Sequence, residues 1–344
     1  MRRRAPTIRE VAQAAGVSIS TVSNVLYNKV GYYSPETAQR VWEAVRKLGY
    51  RPNHTARSLA RQRTYTIGVV VDYFLGGVSS NPYFGTVFDG ILQAATDADY
   101  HVKIFRVPEG KSEPAVERIE DGSVEGVVTV ALTVDNPLLE HLENSYVPTV
   151  WAGSIPPNAK IPCVDIDDIS ATYQAVKWLI ELGHRRIAII TGITRQWSAR
   201  RREQGYLMAL WEAGIKPHPA WRYEGNFHVD SGKAGAAYLM GVHPRPTAIV
   251  CGNDRIAIGA LHVLAEMGIK VPDEVSIIGF DNTEDAAYTE PPLTTINQPM
   301  FDIGLKAGEM LLQQIEQGTR FRNNLLLPAD LVLRESVAPP PRED

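Results

Sequence analysis

The 344-residue chain holds only two cysteines, Cys163 and Cys251, far apart and outside any metal-ligand spacing. That scarcity excludes a disulfide-stapled scaffold and makes both thiols read as reduced, buried side chains. No apolar run approaches the roughly 20 residues a membrane-spanning helix needs. The basic N-terminus is not followed by the apolar stretch of a secretion signal. The expectation is a cytoplasmic chain with no membrane partner. A phosphate-cradling glycine loop, a metal-ligand cluster and a nucleophile–base pattern are all missing, so no enzyme, metal or cofactor is expected. Adjacent acids occur at Asp167-Asp168 and Glu284-Asp285. Such pairs ordinarily sit at helix starts or on solvated turns.

What the chain does have is an uneven spread of charge. Its formal net charge is −4, yet residues 1–63 carry 12 Lys and Arg against 3 Asp and Glu, and the remainder carries 23 against 36. An acidic majority thus hides a basic arm, the electrostatic footprint of nucleic-acid binding. Hydrophobic residues at 44% and charged residues at 22% are ordinary for a globular chain. The length suggests two or three domains.

Within the basic arm, Thr7-x-x-Glu10 forms a capping box that starts a helix. Ile8, Val11, Ala12 and Ala15 share its inner face, and Gly16 ends it in a left-handed cap. Ser18 caps a second helix with Val22, Val25 and Leu26 inward and Ile19, Ser20, Ser23 and Asn24 outward. Ser34-Pro35 opens a third helix, whose inner stripe is expected to be Ala38, Val41, Val45 and Leu48. Helix, tight turn, helix and supporting helix make a helix-turn-helix, whose second helix enters the major groove N-terminus first. A Pro52-Asn53 boundary follows, then Ala56-Arg57-Ser58-Leu59-Ala60, where an apolar side chain stands among few apolar neighbours.

On these residues the chain resembles the lac repressor/gal repressor family of bacterial transcription regulators. The matching runs are Thr7-Ile8-Arg9-Glu10-Val11-Ala12, Ala15-Gly16-Val17-Ser18, Thr21-Val22-Ser23 and Leu48-Gly49-Tyr50-Arg51-Pro52-Asn53. They continue through Ala56-Arg57-Ser58-Leu59 into Ile67-Gly68-Val69-Val70. The resemblance implies that Ile19, Ser20 and Asn24 read bases and that Thr21, Ser23 and Asn28 hold phosphates. It also implies that Leu59 wedges into the minor groove from a hinge helix that orders when two chains meet on an operator. The chemistry agrees: Asn pairs bidentately with adenine, Ile contacts a thymine methyl, and an apolar wedge kinks the duplex.

Beyond residue 63, strand-like and helix-like segments alternate. Strands are expected at 67–71, 102–105, 126–130, 149–151, 187–191, 248–251 and 275–279, with helices at 172–182, 205–213 and 256–267. Alternation of this kind builds parallel sheets covered by helices on both faces, and the strands are too many for one compact sheet. The resemblance implies an all-α helix-turn-helix head plus an α/β, two-lobed, periplasmic-binding-protein-like effector domain made of two parallel-sheet, Rossmann-like subdomains. The expected boundaries are 1–52 for the head and 53–63 for the hinge. The first lobe is 64–163 with 294–322, the second is 164–293 with 323–338, and 339–344 form a tail.

Ligands of open parallel sheets sit beyond the carboxyl ends of the strands. Those ends carry Asp72-Tyr73, Trp151-Ala152-Gly153, Thr191-Gly192, Asn253-Asp254 and Asp281-Asn282. By resemblance, Phe84 in Asn81-Pro82-Tyr83-Phe84 stacks on the effector, Arg202 in Arg202-x-x-Gly205-Tyr206 clamps it, and Gln196, Ser198, Phe227, Asn253 and Asp281 complete the site. Many family members place an acid where Gly153 stands. The missing carboxylate would leave a gap for a larger ligand, such as a disaccharide or glycoside.

The expected function is a DNA-binding transcriptional regulator, a repressor, acting as a homodimer on a near-palindromic double-stranded operator. A small-molecule effector, a sugar or glycoside, would sit between the lobes. Alternatives are a purine, a nucleoside or a protein co-regulator acting on the same fold. The DNA-binding head argues against a solute-binding protein, and the lack of a catalytic pattern argues against a sugar-processing enzyme. No leucine heptads follow Val337-Ala338-Pro339-Pro340-Pro341, so a dimer rather than a tetramer is expected.

Overall fold

The computed structural model describes residues 6–29, 31–51, 63–72, 81–107, 113–154 and 160–342. The chain divides into two units, Met1–Thr64 and Tyr65–Asp344.

The smaller unit contains α1 (Ile8–Ala15), α2 (Ile19–Leu26) and α3 (Pro35–Leu48). Local chemistry sets each boundary. Thr7 and Glu10 form the reciprocal capping box, and Gly16 takes φ 65° to end α1. The Ser18 side chain accepts from Thr21 N, and Ser34 accepts from Thr37 N ahead of Pro35. Val11, Ala12, Ala15, Val22, Val25, Val41 and Ala44 form the core, with Ile8, Leu26, Ala38, Val45 and Tyr50 packed around it. Leu48 departs from expectation: it is 37% exposed. It is the last helical residue, and the left-handed turn at Gly49 brings Tyr50 onto the core in its place.

The larger unit is built on two six-stranded sheets. The first joins β1 (Thr66–Asp72), β2 (His101–Val107), β3 (Gly126–Val130), β4 (Thr149–Ala152), β5 (Cys163–Ile166) and β11 (Leu325–Leu327), in the spatial order β11-β5-β4-β3-β1-β2. The second joins β6 (Ile187–Thr191), β7 (Arg222–Glu224), β8 (Ala248–Cys251), β9 (Ser276–Asp281), β10 (Thr294–Asn297) and β12 (Asp330–Val332), in the order β12-β10-β9-β8-β6-β7. All pairings are parallel except that of β10 with β12.

Helices cover both faces of each sheet. α4 (Pro82–Asp97) and α11 (Met300–Gln317) lie on one face of the first sheet; α5 (Glu113–Glu120) and α6 (Leu138–Asn144) lie on the other. In the second lobe α7 (Asp168–Glu181) and α8 (Trp197–Glu212) oppose α9 (Val229–Met240) and α10 (Asp254–Glu266). Strand alternation supplies both layers: Ile187 and Ile189 point one way, Ala188 and Ile190 the other. α4 and α11 approach so closely that a Cβ on Gly304 would lie 1.9 Å from the Val87 carbonyl oxygen.

The lobe boundaries differ from the expected ones. β5 belongs to the first sheet, beside β4, whereas the expected second lobe of 164–293 includes it. β10 pairs with β9 in the second sheet, so the return to the first lobe comes after Asn297 rather than at 294. β11 pairs with β5 in the first sheet and only then does the chain cross to β12. These strands have three or four residues each. Their sheet is decided by tertiary pairing, which leaves no local trace. After β12, Ser336 and Ala338 hydrogen-bond Ile277 and Ser276, tying the C-terminal segment to the second lobe.

Candidate functional site

In the smaller unit the outward face of α2 collects the groups suited to DNA. Ile19 is 43% exposed, Ser20 and Asn28 are exposed, and Thr21, Ser23 and Asn24 are partly exposed. The buried pair Val22 and Val25 on the opposite face fixes their direction. Ser18 Oγ lies 2.7 Å from Ser20 Oγ and 2.8 Å from Thr21 Oγ1, a hydroxyl cluster at the helix N-terminus. Such a terminus presents backbone N–H groups to a phosphate. Asn28 takes φ 49° just past α2 and accepts from the Tyr33 hydroxyl at 3.1 Å. The wedge candidate Leu59 and residues 53–62 of the hinge lie outside the described residues.

In the larger unit a cleft of about 450 Å³, its open mouth included, lies between the two lobes. Asn81, Tyr83, Ala131 and Ser154 line it from the first lobe. Gln196, Ser198, Arg202, Phe227, Asn253 and Asp281 line it from the second, and Gln298 lies on a crossing segment. Ala131, Ser154, Phe227 and Asp281 take φ 47°, 58°, 66° and 106°. Left-handed non-glycine residues cost roughly 1–3 kcal/mol each and collect at ligand sites. Here four of them line one cleft.

Arg202 is the centre of the site. Its Nε donates to Asp168 Oδ1 at 2.8 Å, its Nη1 to the Gly252 carbonyl at 2.6 Å and its Nη2 to Gln298 Oε1 at 3.1 Å. Asp281 Oδ1 lies 3.7 Å from Nη1, and the guanidinium stacks 3.5 Å from the Phe280 ring centroid. The guanidinium is therefore fixed from three sides before any ligand arrives.

One buried cation faces several acids, and burial wins. It pushes Asp281 up to about 8, with Arg202 opposing and Asp254 and Asp168 adding to the rise. Burial thus favours the protonated form of Asp281, which can donate as well as accept. Asp168 is also raised by burial, against the pull of Arg202. Tyr83 is held well above the ordinary tyrosine range by burial first and Asp165 second.

Asn253 caps α10 by accepting from Ile256 N at 2.9 Å, and its amide donates to the Phe227 carbonyl at 3.3 Å. The Phe227 ring lies over Gly192, where a Cβ would stand 1.9 Å from Cζ. Gln196 donates to the Ala131 carbonyl at 3.2 Å, and Ser198 N donates to Ser154 Oγ at 3.2 Å, so both link the lobes.

The structure brings Gln196, Ser198, Arg202, Phe227, Asn253 and Asp281 to one cleft. Phe84 is not there. It is fully buried in the first-lobe core, stacked on Phe88 at 6.0 Å. Asn81 caps α4, so Tyr83 and Phe84 lie about 100° apart on the first turn. Phe84, Val87 and Ile91 make the inner stripe, and the neighbouring Tyr83 faces the cleft. The gap expected at Gly153 is also filled: a Cβ there would lie 2.0 Å from the Tyr83 hydroxyl. Asn81 and Tyr83 belong to the segment the resemblance points to, with the contact falling on them rather than on Phe84, whereas Ala131, Ser154 and Gln298 carry no sequence signal. Nor does Asp168: Asp167 caps α7 and stays partly exposed, while its neighbour is fully buried against Arg202. Glu284 and Asp285 are exposed, as expected for a turn.

A capped helix-turn-helix unit and a two-lobed body with a polar cleft define a DNA-binding transcriptional regulator. Residues 7–53 match the description of bacterial regulatory proteins of the lacI family, and residues 176–337 match a periplasmic binding protein-like domain. The chain belongs to the lacI family. The HTH-type transcriptional repressor PurR of Aliivibrio salmonicida (strain LFI1238) is 35% identical over 338 residues, covering 96% of this chain and 98% of that protein. A solved complex of the transcriptional regulator CelR with cellobiose is 32% identical, with TM-score 0.75 over 96% of this chain and 99% of that one. A lac repressor dimer bound to operator and the anti-inducer ONPF is 29% identical, with TM-score 0.88 over 97% and 100%. Among the described residues no helix is long and apolar enough to cross a membrane.

Proposed function

We propose that this chain is a cytoplasmic repressor that binds a near-palindromic operator as a homodimer and turns over no substrate. Its effector is a neutral, polyhydroxylated molecule, a sugar or glycoside, held in the cleft. Ile19, Ser20 and Asn24 read bases, and Thr21, Ser23 and Asn28 contact phosphates. Gln196, Ser198, Arg202, Phe227, Asn253 and Asp281 hold the effector, joined by Tyr83, Asn81 and Gln298.

The observation that carries the ligand class is the pairing of Arg202 by buried acids. Asp168 Oδ1 already accepts from the guanidinium at 2.8 Å and Asp281 Oδ1 stands 3.7 Å from it, so the one cation is answered from within and the cleft favours neutral hydroxyls over a phosphorylated or anionic ligand. Side-chain amides and hydroxyls surround this pair. Among the described residues the aromatic side chains lining the cleft are Phe227 and Tyr83, and the Tyr83 hydroxyl is turned against Gly153. The CelR complex holds cellobiose and the lac repressor structure holds an operator. The sugar class and the operator-bound dimer come to this chain on that likeness.

The test begins with duplexes selected from a random pool by the full-length chain. Monosaccharides, disaccharides, purines and nucleosides are then titrated against the selected duplex. A sugar should raise the melting temperature and change operator affinity by roughly 5- to 150-fold, the range of a coupling of about 1–3 kcal/mol. A response to purines or nucleosides alone would replace the ligand class. Failure to enrich any duplex would overturn the repressor reading.

A further inference from the structure

We propose that Glu125 is the positioning residue that carries the state of the effector cleft to the DNA-binding unit, by holding the first residue of the body to one end of β3. This rests on the effector-responsive reading above.

Tyr65 opens the larger unit, immediately after Thr64. Its backbone N–H donates to Glu125 Oε1 at 2.6 Å, and the Tyr100 hydroxyl donates to Glu125 Oε2 at 3.0 Å. The Tyr65 and Tyr100 rings pack at 5.5 Å, and the Tyr65 carbonyl accepts from His101 N at 2.8 Å. Tyr65 takes φ 49°, a conformation an aromatic residue adopts only when its surroundings impose it. One carboxylate thus fixes a strained residue at the entrance to the body.

Glu125 directly precedes β3. That strand is buried along its length and pairs with β1 on one side and β4 on the other. Laddered on both edges, it moves as a rod of on the order of 17 Å. Its far end enters the cleft and is gripped by the second lobe. The Ala131 carbonyl accepts from Gln196, and Val134 N donates to the Arg195 carbonyl at 2.7 Å. Asp135 receives Arg195 Nε at 3.0 Å and Nη2 at 2.9 Å. A shift of the second lobe that breaks this grip moves one end of the rod, and Glu125 delivers the movement to Tyr65.

A ligand-free double-mutant cycle tests this in the full-length chain, read as affinity for the selected duplex. Asp135→Ala loosens the grip and should change operator affinity several-fold. In a Glu125→Ala background the same substitution should change it less than twofold. Glu125→Gln keeps a carbonyl acceptor for Tyr65 N–H and should restore most of the response. It also serves as the partner variant if Glu125→Ala does not fold; the comparison variant is then Tyr100→Phe, whose response should be intermediate. Equal fold-changes in all backgrounds, or no effect of Asp135→Ala anywhere, would overturn the proposal. The cycle contains no sugar, so its failure in a chain whose operator binding answers a sugar rejects Glu125 alone. A chain that answers no sugar contradicts the effector reading alone.

Discussion

The Tyr83 hydroxyl occupies the space beside Gly153 so closely that any Cβ at position 153 would stand 2.0 Å from it. Tyr83 Cζ follows at 3.3 Å, and the nearest atom of any other residue is Asp165 Oδ1 at 3.9 Å. The absence of an acid at 153 therefore signals a wall built differently, with tyrosine in place of carboxylate, and gives no ground for a larger ligand.

Gly153→Ala should destabilise the full-length chain by roughly 1–3 kcal/mol, from the clash and from φ 69°. In a Tyr83→Ala background the clash is gone and only the backbone cost, about 1 kcal/mol, should remain. Urea unfolding of the four chains measures this. Additive losses would show that the two residues do not compete for space.

Arg202→Met leaves Asp168 buried without its cation, so it should cost about 3–5 kcal/mol of stability as well as ligand response. Asp168→Asn in the same chain should recover part of that stability without recovering the response. A response regained along with stability would make Arg202 a scaffold residue only.

The pH dependence follows from Asp281, raised from 3.8 to about 8. Between those values the folded chain keeps a proton that the unfolded chain releases, so stability falls as pH rises, by at most about 1.4 kcal/mol per unit. Burial lowers His184 and His228 from 6.5, so both are neutral in either state above that value and do not mask the effect. Denaturant unfolding from pH 7 to 8, below the range in which the raised thiols Cys163 and Cys251 add a loss of their own, should show a decline that flattens in Asp281→Asn. An unchanged slope in the variant would contradict the assignment.

Local chemistry was legible in the sequence; long-range geometry was not. Thr7, Glu10, Gly16, Ser18 and Ser34 cap helices where their types say they should, because a cap depends on the next few residues alone. Gln196, Arg202 and Asp281 fall at strand ends or at the start of the following helix, where motif and topology coincide. Asp168 is indistinguishable from Asp167 in sequence, and only the packing of α8 buries one of them. The resemblance points to Phe84 within Asn81-Pro82-Tyr83-Phe84, but the direction of the first turn of α4 buries Phe84 and gives the cleft to Tyr83. The short strands β5, β10 and β11 carry too few residues for periodicity to reveal which sheet they join.

Asn24→Ala should relax base preference at one position of each half-site, at about 1–3 kcal/mol for the matched base. Selection with the variant, compared with the parent chain, reads this directly. A uniform loss over all sequences would assign Asn24 to phosphate contact instead.

The central claim is that one chain links cleft occupancy to DNA binding, and linkage makes it reciprocal. The decisive measurement is the affinity of the best sugar for the free chain and for the chain saturated with its selected duplex. The account predicts two different affinities, with a ratio equal to the factor by which saturating sugar changes operator affinity. Equal sugar affinity in the two states would contradict it.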